Sequence, residues 1–118
     1  MVEGYRLQIL NFVDLALISI PMAPAERKKL MPTISMFYGL IIRMYFAPGE
    51  HPPPHFHVYY NDYKASVDIR TCEIIEGQLP NRQAKLALAW AELHREELMA
   101  DWQLVINGEE PFKIQPLQ

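Results

Sequence analysis

The apolar positions of this chain fall into two regimes that meet near residue 80. Thr33 to Tyr38 and Leu40 to Phe46 are rich in β-branched, aromatic and aliphatic residues, with Gly39 between them. They predict two strands joined by a tight turn. His55 to Tyr60 and Tyr63 to Ile69 predict the clearest hairpin, with Asn61-Asp62 as its two-residue turn, because both residue types tolerate positive φ. That turn fixes a register in which Tyr60 faces Tyr63, His57 faces Ser66 and His55 faces Asp68. Side chains alternate along strands, so one face collects Phe56, Val58, Tyr60, Tyr63, Ala65 and Val67. The other collects His55, His57, Tyr59, Lys64, Ser66 and Asp68. The clean separation of apolar from polar supports the register. A fifth strand, Glu73 to Glu76, is expected to end at Gly77.

Beyond Pro80 the period changes. "NRQAKLALAWAELHREELMADWQLVI" has high helix propensity, with Asn81 suited to N-cap it. Leu86, Trp90, Leu93, Leu98, Trp102 and Val105 lie near one stripe, while Glu92, Arg95 and Glu96 lie towards water. Asp101 would cap a second helix if the chain bends near Ala100, and Gly108 stops the run. The tail "EEPFKIQPLQ" is expected to add a short extended segment. The predicted fold is α+β: an antiparallel meander of about five strands, then a C-terminal helix, bent or split in two, on the apolar face of the sheet.

Residues 1–30 do not share this organisation. Leu7 to Met22 is mostly apolar but carries Asn11 and Asp14 and stops at Pro21, too short and interrupted for a membrane span. A signal-peptide reading finds Arg6, an apolar centre and Ala23-Pro24-Ala25, but Asp14 in that centre weakens it. A packed N-terminal helix is the plain alternative. We favour a third reading. "MPTIS" at Met31 reads as a fresh start, and Glu26-Arg27-Lys28-Lys29 can be written in purine-only codons, as a translated ribosome-binding site would be. Residues 1–30 are then an N-terminal extension, expected to pack poorly, and 31–118 form a single domain.

Composition adds bounds. The chain of 118 residues is 50% apolar and 21% charged, the balance of one soluble globular domain. The formal charge is −3, and residues 31–118 hold 7 basic against 11 acidic side chains. That counts against binding DNA on its own and leaves a local RNA site open. The single Cys72 excludes an internal disulfide and a thiolate zinc cluster, and suits a small packing or turn residue in a reducing cytoplasm.

Candidate chemistry concentrates in "EHPPPHFHVYY", which holds three of the four histidines. His51 and His55 have the i, i+4 spacing of a helical zinc motif. The intervening prolines fix φ and remove N–H donors, so the helix that would unite them is forbidden. A strand instead projects His55 and His57 from one face, with Asp68 opposite His55. Two imidazoles oriented by a carboxylate can share acid and base roles in phosphodiester cleavage. Lys64, or Arg43 from the preceding strand, could hold a phosphate, and Tyr59 could stack a base. The same neighbourhood could bind a divalent metal through His55, His57 and Asp68, with His51 reaching in from the loop. The plainest reading needs no chemistry: a half-exposed hairpin requires a polar face. His94 reads as boundary packing, and Trp90 and Trp102 as core.

The segments "MPTISMFYGLIIRMYF", "PPHFHVYY", "YKASVDI", "IIEGQLP" and "LAWAELHREELMADW" together resemble a small bacterial family, domain of unknown function 4160, from Met31 to about Leu117. Its members usually begin at the Met-Pro-Thr-Ile segment, so residues 1–30 depart from the pattern. Genes of the family often neighbour another small gene, and the pair is suspected to be a toxin–antitoxin module. The resemblance therefore implies a bacterial cytoplasmic protein whose partner is the small protein of a neighbouring gene. It identifies no catalytic residue. The expectation is a toxin-like component acting on RNA through the His-rich hairpin face. Two alternatives stay open: a non-enzymatic interaction module, antitoxin or adaptor, and a His/Asp metal-binding domain. No cofactor is expected unless it is a divalent metal.

Overall fold

The computed structural model describes residues 31–47 and 50–118. Residues 1–30, with the start-site and packing expectations attached to them, lie outside the described residues. Five strands, β1 (Thr33–Phe37), β2 (Leu40–Arg43), β3 (His55–Tyr60), β4 (Tyr63–Asp68) and β5 (Glu73–Gln78), precede two helices, α1 (Asn81–Leu93) and α2 (Arg95–Ile106). The strands form one antiparallel sheet in sequence order. The fold is α+β, with paired helices where one bent helix was the other option.

Local chemistry explains the turns. Tyr38 and Gly39 both have positive φ, the twist that lets a two-residue turn join β1 to β2. Asn61 does the same between β3 and β4. The expected hairpin register is observed along its whole length, from Tyr60 opposite Tyr63 to His55 opposite Asp68. β2 stops at Arg43, short of the predicted Phe46. β5 runs through Gly77, where it was expected to end. A Cβ on Gly77 would lie 2.2 Å from the Lys64 carbonyl oxygen, so only glycine allows β5 this close to β4.

The core lies between the sheet's inner face and the helices. Ile34, Leu40, Ile42, Phe56, Val58 and Val67 meet Ala87, Trp90 and Ala91 from α1 and Leu98, Trp102 and Val105 from α2. Trp90 is its centre, with ring centroids 5.2 Å from Phe37 and 5.8 Å from Phe56. Its indole N–H donates to the Gln115 carbonyl at 2.8 Å, so a buried donor is satisfied by the C-terminal tail. The tail is not a strand. It lies along the edge of β1 through a backbone bond from the Ile114 N–H to the Ile34 carbonyl and a side-chain bond from Lys113 Nζ to the Thr33 carbonyl.

The helical region corrects four expectations. The break falls at His94, not near Ala100: the His94 N–H is shared between the carbonyls of Trp90 and Ala91, and α2 restarts at Arg95. Glu96 and Glu97 then occupy the first turn of α2, where the helix dipole favours negative charge. Leu93, at the last turn before the break, is 70% exposed and leaves the apolar stripe. Asp101 caps nothing. It sits inside α2, buried, and accepts a hydrogen bond from the Phe112 N–H at 2.9 Å. Asn81 is the first residue of α1, with Pro80 before it and no side-chain cap. As expected, Gly108 takes positive φ at the end of α2, and the Glu109 N–H closes back on the Leu104 carbonyl. No described helix is long and apolar enough to cross a membrane.

Candidate functional site

The sheet's pairing lines up side chains in rows across the face opposite the helices. One row runs Thr33, Arg43, His57, Ser66, Glu76. The next runs Met36, Ile41, Tyr59, Lys64, Gln78. Alternation in the hairpin extends into β2, while register shifts in β1, between Thr33 and Ser35, and in β5, opposite Ser66 and Val67, interrupt it at both edges. Arg43 lies over the Tyr59 ring, 5.3 Å from its centroid, a cation–π geometry. An open cleft of about 220 Å³ borders His57 and is walled by Tyr45, Tyr59, Lys64, Ser66 and Glu76.

Pro52 and Pro53 bend the connection between β2 and β3 and bring Glu50 back over the start of β3. Its Oε1 lies 2.6 Å from His55 Nε2 and 2.9 Å from His57 Nε2. The two imidazoles meet edge to face, with centroids 5.0 Å apart. Trp102 of α2 packs on His55 at 5.2 Å, and Tyr45 packs on His57 at 4.3 Å. These rings shut most of the water out: the side chains of Glu50, His55 and His57 are 10%, 12% and 18% exposed.

The remaining ring nitrogens are also held. His55 Nδ1 lies 2.8 Å from the Pro53 carbonyl oxygen, which can only accept, so Nδ1 carries the hydrogen. His57 Nδ1 lies 3.3 Å from the Ser66 hydroxyl, which can donate or accept. Burial pushes the His57 imidazole below its ordinary pKa, against the pull of the Glu50 carboxylate, so its neutral form is favoured. The Tyr45 hydroxyl is pushed well up, by burial first and then by its hydrogen bond to the Tyr59 hydroxyl.

The structure brings together some of the sequence-predicted residues and separates others. His55 and His57 converge. Tyr59 and Lys64 line the adjoining cleft, and Arg43 stands beside Tyr59. Asp68 is opposite His55 in register, yet its carboxylate turns to the following loop. Oδ1 accepts from the Arg70 and Thr71 N–H groups, and Oδ2 accepts from the Arg70 guanidinium at 3.1 Å. These bonds, Arg70's first, hold the Asp68 carboxyl below the usual range, and it neither orients His55 nor joins a ligand set. His51 is exposed and stands outside the histidine group. The carboxylate that does reach both imidazoles is Glu50, which no sequence pattern singled out.

No curated protein and no solved structure matches the chain. The profile of the family described as domain of unknown function (DUF4160) matches residues 39–103, a span that contains Glu50, both site histidines, four of the five strands and most of the helices. The chain belongs to that family.

Proposed function

We propose that the protein is the toxin-like member of a bacterial two-gene module, acting on RNA in the cytoplasm at the cleft beside His57. The observation that carries this reading is the make-up of that cleft. A shielded, neutral imidazole held between a carboxylate and a hydroxyl opens onto a wall with an aromatic ring, Tyr59, and an ammonium, Lys64. Arg43 adds a second positive charge next to the ring. Such a set can hold a phosphate, stack a base and activate a nucleophile. Glu50, His55 and His57 are then the reacting centre.

The second reading is a non-enzymatic binding module, antitoxin or adaptor. Charge favours it: residues 31–118 are acidic, and Glu76 stands in the cleft wall, where it repels a phosphate. Induced expression with and without the neighbouring gene separates the two. The toxin-like reading expects growth arrest and RNA breakdown from the wild type. His55→Gln and His57→Gln should relieve both while keeping the wild-type circular dichroism, because loss of an acid, base or ligand costs roughly 10²-fold or more in rate. Folded variants as harmful as the wild type, or a harmless wild type, would sink it.

A further inference from the structure

The donor pattern at His55 carries one step more. Its Nδ1 hydrogen is committed to the Pro53 carbonyl, so in the neutral ring Nε2 presents a lone pair. That lone pair faces the Glu50 carboxylate oxygen at 2.6 Å. Two acceptors so close, and nearly out of water, require a positive charge between them. A proton would satisfy His55 and Glu50 alone. His57 Nε2 points at the same oxygen at 2.9 Å, so a single cation placed among the three atoms can meet them all.

We propose that Glu50, His55 and His57 are the protein ligands of a divalent transition-metal ion. This deepens the toxin-like reading by giving its reacting centre a cation, but the binding claim stands on its own measurement. Three donors, two Nε2 atoms and one carboxylate oxygen, lie within 4.8 Å of one another. Around a tetrahedral zinc ion such atoms sit about 3.3 Å apart, so Glu50 Oε1, now 2.6 and 2.9 Å from the two Nε2 atoms, would draw back from each by roughly half an ångström. Each imidazole is already held through its far nitrogen, His55 by a backbone carbonyl and His57 by a hydroxyl. Metal-binding histidines are held that way, which fixes ring orientation and tautomer. The Ser66 hydroxyl can reverse its role. It donates to His57 Nδ1 when Nε2 carries the hydrogen, and accepts from Nδ1 when Nε2 turns to a metal.

Two imidazoles and one carboxylate suit zinc, iron(II), manganese or cobalt rather than magnesium or calcium, which prefer oxygen. Three protein ligands leave at least one position for water, the arrangement of catalytic rather than structural sites. His57 is common to the ligand group and to the cleft where Tyr59 and Lys64 stand.

The test is calorimetric titration of the chelator-treated full chain with zinc and, separately, manganese. One ion per chain should bind. Glu50→Gln, His55→Gln and His57→Gln should each weaken affinity by more than about 100-fold, and His51→Ala should not change it. Ser66→Ala keeps all three ligands and should weaken affinity about tenfold, the cost of losing an outer partner. It therefore reports on the site even if a ligand variant misfolds. Saturable binding with this ranking supports the proposal. No saturable binding, or binding equally strong in all variants, overturns it. Metal binding without any growth effect would sink the toxin-like reading and leave the metal site standing. A growth effect with no metal binding would do the reverse.

Discussion

Asp68 and Asp101 are equally hidden, at 5% and 1% exposure, yet the fold treats them in opposite ways. Asp68 ends β4 and meets two backbone N–H groups and a guanidinium. Its carboxyl is held below the ordinary range despite its burial. Asp101 lies inside α2 and meets one N–H, from Phe112, while its Oδ2 has no partner among the described residues. Burial then dominates, Glu97 adds repulsion, and the carboxyl is pushed up to about 6. Depth alone does not decide whether a buried acid stays charged; the number of donors aimed at it does. Glu50 presents a third arrangement, in which one carboxylate oxygen faces the Nε2 atoms of two imidazoles.

The pH consequences have opposite signs. Asp68 adds stability that is fully present above about pH 4, its unfolded value, and is lost as pH falls through the lower folded value. Asp101 binds its proton more tightly folded than unfolded, so its contribution declines as pH rises from about 4 through about 6. Three substitutions sharpen the contrast. Asp68→Ala should have the largest effect, a loss of about 2 kcal/mol in urea unfolding at pH 7, because it strands the Arg70 and Thr71 N–H groups. Asp101→Asn should act the other way, adding on the order of 1 kcal/mol at pH 8. It should also flatten the stability profile between pH 4 and 6; an unchanged profile would mean that Asp101 titrates in the fold as it does in the unfolded chain. Glu50→Gln should be the mildest. In chelator-treated protein it should leave stability within about 0.5 kcal/mol, since the amide can accept from His57 and donate to His55. Only the stabilisation by added zinc should vanish, read as a melting temperature that no longer moves with metal.

The sequence was most informative where structure is local. Asn61-Asp62 set the turn, the turn set the register, and the register carried His55, His57 and Ser66 onto one face. Asp68 shows where register stops being enough. Its Cα partner was right, but an aspartate followed two and three residues later by free N–H groups is drawn into its own loop. "DIRT" offered that signal. Glu50 was legible only through the path of the proline loop, since nothing periodic links a loop carboxylate to residues five and seven positions on. The helix break moved for a similar reason. Propensity is high on both sides of His94, and the Trp90–His94 ring contact, with centroids 5.3 Å apart, has the i, i+4 spacing of an unbroken helix, so nothing in the local pattern marks the break.

The bond from Trp90 to the Gln115 carbonyl bears on biosynthesis. During translation the whole sheet and both helices leave the ribosome before Ile114 and Gln115 do. Until then Trp90 has no carbonyl for its N–H, and the edge of β1 lacks its Ile114 partner. The nascent chain therefore holds His55 and His57 well before its core can close.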